Sequence, residues 1–380
     1  MASDEITHRI AQTNGINMHV AEQGSGPLLL LIHGFPCLWA SWKNQIPELA
    51  RNGFHVVAPD MRGYGDTDSP PNPTSYTILH LVGDLVGLIQ VLGYDQYLLT
   101  VLARFGQAFV VGHDWGAEIA WHLCLFRPDM VRALVNLGVP YRPRSPIRPV
   151  EMMNQMFGEG LYISQFQEPG RAEKSFACYD HLTVMKKFHC ITKPDLIAPP
   201  GMEIIDFLDI PSTLPAWISE EELQYFASKF QKSSFTGPLN YYHAMDLNWE
   251  LLAPWKGSKI IVPAKLIAGD KDLGFHSFGT EDYIMGRDFK TLVPDVEVIV
   301  IDGYHFILQE KAEEVTHEIL SFFGNITASD RDLGFYALEQ RITSWEEISR
   351  VMLNVEVIVI DDSHFLQQEK AEDDTRHPVL

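Results

Sequence analysis

Gly112-His113-Asp114-Trp115-Gly116 is the stretch whose residue types and spacing could do chemistry most directly. It follows the apolar run Phe109-Val110-Val111 and precedes a helix-like run from Ala117 to Cys124. A strand that turns tightly into a helix lifts the central side chain clear, and flanking glycines let the backbone bend. The residue so lifted is usually Ser; here it is Asp114. A carboxylate is a poor agent for ordinary acyl transfer. It is a workable nucleophile for displacement at a tetrahedral carbon, leaving an alkyl ester on the enzyme. The expected chemistry therefore moves from ester hydrolysis toward opening an epoxide or expelling a halide.

The elements around this turn must hold it. Met18 to Glu22 reads as an early strand, closed by Gly24-Ser25-Gly26-Pro27. Leu28 to Ile32 is a continuous apolar run, as a strand buried on both faces requires, and it runs into His33-Gly34-Phe35-Pro36. Phe54 to Pro59 is a further strand, leading into a glycine-rich loop from Asp60 to Asp68 that reads as a structural turn. Helical periodicity follows from Thr77 to Leu92, and strand-like runs recur at Ala264–Gly269 and Val296–Ile301 before a closing helix near Phe323. This alternation predicts an α/β chain with a mostly parallel sheet and helices on both faces. The stretch 140–255 breaks the rhythm, rich in Pro, Met, Phe and Tyr, and reads as an inserted, mainly helical cap. The expected division is a core at 1–139 and 256–324, the cap at 140–255, and a tail at 325–380.

That tail repeats what precedes it. Lys271-Asp272-Leu273-Gly274-Phe275 returns as Arg331-Asp332-Leu333-Gly334-Phe335, and Val296–Asp302 returns as Val355–Asp361. His305-Phe306 returns as His364-Phe365. Two copies are too few for a solenoid. A partial duplication fits, with the second copy surplus or loosely docked.

Composition narrows the partners. A formal net charge of -21 argues against nucleic acid and anionic membrane. Cys37, Cys124, Cys178 and Cys190 have no paired spacing, so neither a disulfide framework nor a metal site is expected. No apolar run reaches the length of a membrane span and no secretory signal is legible, which makes the cytosol the expected location. The sequence leaves a homodimer open.

Taken together, His33-Gly34-Phe35-Pro36, the Asp114 turn, Leu161–Phe166, Asn240-Tyr241-Tyr242-His243, Gly269-Asp270-Lys271-Asp272 and Gly303-Tyr304-His305-Phe306 carry a resemblance. Over roughly residues 5 to 323 the chain resembles the α/β-hydrolase-fold epoxide hydrolases, the plant soluble type in particular. The resemblance implies that Asp114 is the nucleophile and that the backbone N–H groups of Phe35 and Trp115 form the oxyanion hole. It implies that His305 activates water, oriented by Asp272 rather than its neighbour Asp270. Tyr162 and Tyr242, from the cap, are the expected proton donors to the epoxide oxygen. His33, Pro36, Trp217 and Tyr241 are expected around the substrate pocket, and Met152, Met153, Phe157 and Phe188 suggest an apolar lining. The implied partner is a small apolar epoxide, and no cofactor is implied.

The chain departs from the family at His243, where Arg is commoner, in extra residues over 97–107, and in the duplicated tail. The tail makes Asp332 and His364 a rival acid–base pair; the first copy follows the cap directly and is preferred. Two other readings stand beside the epoxide hydrolase. A haloalkane dehalogenase also uses an elbow Asp, but with Trp or Asn as halide donors; two cap phenols and Phe35 favour the epoxide. An inactive ligand-binding relative is the third, against which the intact five-residue set argues.

Overall fold

The computed structural model describes residues 5–94, 107–193, 195–276 and 278–341. The expected insertion over 97–107 falls outside them save for Gln107, and so do His364 and the repeated strand. The strands are β1 (Thr7–Thr13), β2 (Ile16–Gln23), β3 (Leu28–Ile32), β4 (His55–Pro59), β5 (Ala108–His113), β6 (Val131–Leu137), β7 (Ala264–Gly269) and β8 (Val296–Ile301). Helices α1 (Gln45–Arg51), α2 (Ile78–Tyr94) and α3 (Trp115–Phe126) alternate with the first strands. Between β6 and β7 come α4 (Pro149–Phe157), α5 (Tyr162–Gln165), α6 (Arg171–Phe176), α7 (His181–His189), α8 (Ile204–Phe207), α9 (Glu220–Ser233), α10 (Thr236–His243) and α11 (Met245–Leu251). The chain continues through α12 (Thr280–Met285), α13 (Arg287–Leu292), α14 (Ile307–Glu310) and α15 (Ala312–Arg341). Two units divide it, Met1–Phe323 and Gly324–Leu380; the described part of the second is the end of α15.

The sheet has the order β1-β2-β4-β3-β5-β6-β7-β8. β1, β2 and β4 pair antiparallel, and β4 through β8 are parallel. Every residue of β3, β5 and β7 is buried, because helices cover both faces of the parallel part. Their apolar side chains supply the centre of the core, with Trp42, Trp121 and Phe323 filling the space beneath the helices. Parallel strands bring all their C-terminal ends to one edge, where side chains from distant sequence positions converge. The register does this closely: Ile32 lies opposite Gly112, Gly112 opposite Asn136, and Asn136 opposite Leu266.

Two elements differ from the sequence reading. The apolar pattern does not mark β1, because most of its residues face solvent at the sheet edge. The last helix does not stop near Phe323 but runs from Ala312 to Arg341. No proline interrupts that stretch, and Ala337, Leu338, Glu339, Gln340 and Arg341 all favour helix.

Candidate active site

Asp114 sits at the hinge between β5 and α3 with φ 53° and ψ -122°. A non-glycine residue held in that region is strained, and only surrounding packing keeps it there. The close approaches explain the glycines. A Cβ on Gly116 would meet Ile32 O at 2.1 Å, and one on Gly34 would meet Asp114 Oδ1 at 2.3 Å. Asp114 is also the residue that begins α3, yet its side chain makes no capping hydrogen bond. It is turned instead toward the loop after β3, where Phe35 N donates to Oδ1 at 2.6 Å. The Trp115 N–H reaches the same carboxylate.

On the other side stands His305, in the loop after β8. Its Nε2 lies 3.7 Å from Asp114 Oδ2, and its Nδ1 donates to Asp272 Oδ1 at 2.7 Å. Asp272 follows β7. Its neighbour Asp270 accepts from Gly303 N at 3.1 Å and so shapes the loop that carries His305. His113, one residue before Asp114, is fully buried and donates from Nε2 to His305 O at 2.8 Å. It ties the two loops together, and burial pulls its imidazole down to about 3, so it stays neutral. Sequence reading gave His113 no role.

Charge follows the geometry. Burial raises Asp114 above the usual carboxylate range, and His305 only partly opposes this. Burial alone would push Asp272 up too, but His305 outweighs it and holds it low. Burial would lower His305, whereas Asp272 and then Asp114 raise it to about 9. Both acids thus favour the protonated form of the ring.

Tyr162 on α5 and Tyr242 on α10 line a cavity of about 290 Å³ together with Asp114 and Trp115. Their rings lie 6.2 Å apart, and Tyr242 packs edge-on against Trp115 at 5.2 Å and Phe35 at 5.7 Å. Burial pushes both phenols up, so they keep their protons.

His33, Pro36, Trp217 and Tyr241 are not among the residues that line this cavity. His33 is buried and accepts from Met61 N at Nε2, bracing the loop. Pro36 forms a cis peptide with Phe35 and is buried. Trp217 packs toward Phe306 at 6.1 Å. Tyr241 is spent on Arg62 O, to which its hydroxyl donates at 2.8 Å. Of the apolar lining expected from the sequence, Met152 and Met153 face the cavity; Phe157 packs on Phe278 at 4.3 Å and Phe188 on Phe35 at 5.3 Å. Lining residues that sequence reading missed include Glu118, His122, Met245 and Trp249. One further cluster, His19, Asp60 and Asp66, has ligand-type atoms within 4.8 Å of one another. Each is already engaged: His19 with Asp60 at 2.9 Å, Asp60 with Trp39 N at 3.0 Å, and Asp66 with Lys229.

The family of the α/β hydrolase fold matches residues 27–177. Epoxide hydrolase 1 of Siraitia grosvenorii is 50% identical over 323 residues, spanning 84% of this chain and 98% of that one. The chain belongs to the epoxide hydrolase family. Epoxide hydrolase A of Mycobacterium tuberculosis is 37% identical over 327 residues, 83% of this chain and 97% of its own. The structure of potato (Solanum tuberosum) epoxide hydrolase I superimposes with a TM-score of 0.79 at 46% identity, covering 84% of this chain and 100% of that one. An epoxide hydrolase from Vigna radiata gives 0.77 at 46% identity, covering 85% and 99%. Among the described residues, no helix of this epoxide hydrolase is long and apolar enough to cross a membrane.

Proposed function

We propose that this epoxide hydrolase works in two covalent steps centred on Asp114. An Asp114 oxygen attacks an epoxide carbon, the carbon–oxygen bond of the ring breaks, and Tyr162 or Tyr242 gives its proton to the departing oxygen. An alkyl ester remains. Esterification removes the charge of Asp114, and with it one of the two influences that hold the proton on His305. His305 then passes that proton to the phenolate, which regains its neutral form, and the ring serves as the base. It takes a proton from water, whose oxygen adds to the ester carbonyl. The negative charge forms where Oδ1 already meets the N–H groups of Phe35 and Trp115. Collapse releases the diol, protonated by His305, and the remaining carboxyl proton passes to His305, which restores the starting charges.

The observation that carries this reading is Asp114 itself: strained above α3, bonded to Phe35 N, within 3.7 Å of His305, and open to a cavity with two phenols. We read 140–255 as the cap that supplies those phenols and 1–139 with 256–324 as the core that supplies the rest. Asp272 and His305 serve as the relay pair, with the tail's Asp332 and His364 surplus. The substrate is a small apolar epoxide. Four free cysteines fit a reducing compartment such as the cytosol.

A first turnover of styrene oxide in heavy-oxygen water tests the mechanism. The label should appear in the peptide containing Asp114 and be absent from the first equivalent of diol. Label entering the diol at once would mean direct attack by water, and halide release from a haloalkane without diol formation would favour the dehalogenase.

A further inference from the structure

The cavity continues past the reacting atoms along α3, where two polar side chains enter a mostly apolar lining. Glu118 and His122 line it with Asp114. They stand four and eight residues beyond Asp114, about 6 and 12 Å further along the helix axis. Helical side chains lean toward the N-terminus, which brings both groups back toward the nucleophile.

The hydrogen bonding fixes what these groups offer. His122 Nδ1 lies 2.9 Å from Glu118 O and 3.4 Å from the Glu118 carboxylate. Both are acceptors only, so Nδ1 carries the proton. In the neutral ring Nε2 is then a bare acceptor, and among the described residues it has no partner. The Glu118 carboxylate is a second acceptor. The cations of the same wall are already engaged, and Arg142 also lies near enough to Glu118 to feel its charge. Arg142 donates to Thr280 Oγ1 at 3.1 Å and sits over the Tyr283 ring. Arg144 lies 3.7 Å over Trp249 and donates to its carbonyl.

Two acceptors on one helix select a donor. We propose that Glu118 and His122 form a distal subsite for a hydroxyl group on the substrate, so that the preferred substrate is an epoxide carrying an alcohol several bonds away. This deepens the epoxide reading and rests on it. A carboxylate at that position would meet the charge of Glu118. A plain hydrocarbon would leave both acceptors without a partner.

Three terminal epoxides of one chain length test it: epoxyoctane, epoxyoctanol with the hydroxyl at the far end, and epoxyoctanoic acid. The alcohol should exceed the alkane in kcat/KM by about tenfold, the yield of one well-placed hydrogen bond, and exceed the acid by more. His122→Phe should bring the alcohol-to-alkane ratio to about one. Glu118→Gln, on a partly exposed side chain, should narrow the gap between alcohol and acid. Equal rates for alcohol and alkane, a preference for the acid, or ratios unmoved by both variants would overturn the subsite. Should His122→Phe fail to fold, an unchanged alcohol-to-acid gap in Glu118→Gln overturns it alone. Diol from all three probes at equal rates removes the subsite and leaves the hydrolase. Diol from none removes both.

Discussion

Replacing Asp272 by Asn separates the two chemical steps. Asp272 accepts from His305 Nδ1 at 2.7 Å and is nearly closed to solvent. Burial lowers His305, while Asp272, ahead of Asp114, raises it from 6.5 to about 9. That net rise corresponds to about 3 kcal/mol in favour of the imidazolium. An amide supplies no charge, so in the variant burial prevails and the ring loses its proton near neutral pH. An Asn amide can also donate to Nδ1, which puts the ring proton on Nε2, where the attacking water needs a lone pair. Alkylation of Asp114 needs no base and draws on the ring only through its charge, so it should proceed, more slowly than in the parent. Hydrolysis of the ester should slow on the order of 10⁴-fold, the scale of the same substitution in a Ser-His-Asp triad. Mixing Asp272→Asn with styrene oxide and recording the intact mass should show a one-substrate adduct that persists for many parental turnovers and maps to Asp114. Decay of that adduct at the parental rate would refute the relay. So would normal steady-state turnover with no adduct at all.

Asp114→Asn should fold and lose turnover immediately after purification, since an amide does not displace carbon; near-full activity in fresh protein would remove Asp114 as nucleophile. Tyr162→Phe and Tyr242→Phe should each slow the burst of alkylation by about 10²–10³-fold and together nearly stop it, as read by stopped-flow with an aryl epoxide. His305 also links stability to pH. Its folded value lies above its unfolded one, so its contribution is fully present below pH 6.5 and is lost as pH rises through about 9. The parent's urea midpoint should therefore fall across that window while that of His305→Gln stays flatter. A chain truncated after Gly324 should keep its diol-forming activity, and His364→Ala should leave the full-length rate unchanged; loss of activity in His364→Ala alone would give the site to the second copy.

The Asp114 turn was legible because its requirements are steric and local: a Cβ at 116 collides with Ile32 O, so glycine spacing exposes the bend. The parallel core was legible because strands buried on both faces become unbroken apolar runs. Asp270 and Asp272 were not separable by spacing, since both follow β7. The resemblance pointed to Asp272, and only the paths of the loops after β7 and β8 distribute them between Gly303 N and His305. Trp217 and Tyr241 show the limit of composition. An aromatic residue among cap helices suits a pocket wall and a packed interior equally, and its contacts decide which. Glu118 and His122 lie on a helix whose apolar pattern says it is buried, while the pattern cannot say which of its turns passes beneath an opening.

Adjacent residues on α10 divide two duties. Tyr242 reaches the cavity, while Tyr241 is bonded to Arg62 O, and Arg62 in turn pairs with buried Asp84 at 2.7 Å. Helix α4, which brings Met152 and Met153 to the same cavity, has no buried residue of its own. Mutational drift thus has a cheap route and an expensive one. Changes on α4 can reshape what the enzyme accepts at little cost to folding, and changes on α10 disturb the foundations of the loop beneath. A lineage, or an engineer, seeking new substrates is steered to the wall that bears no weight.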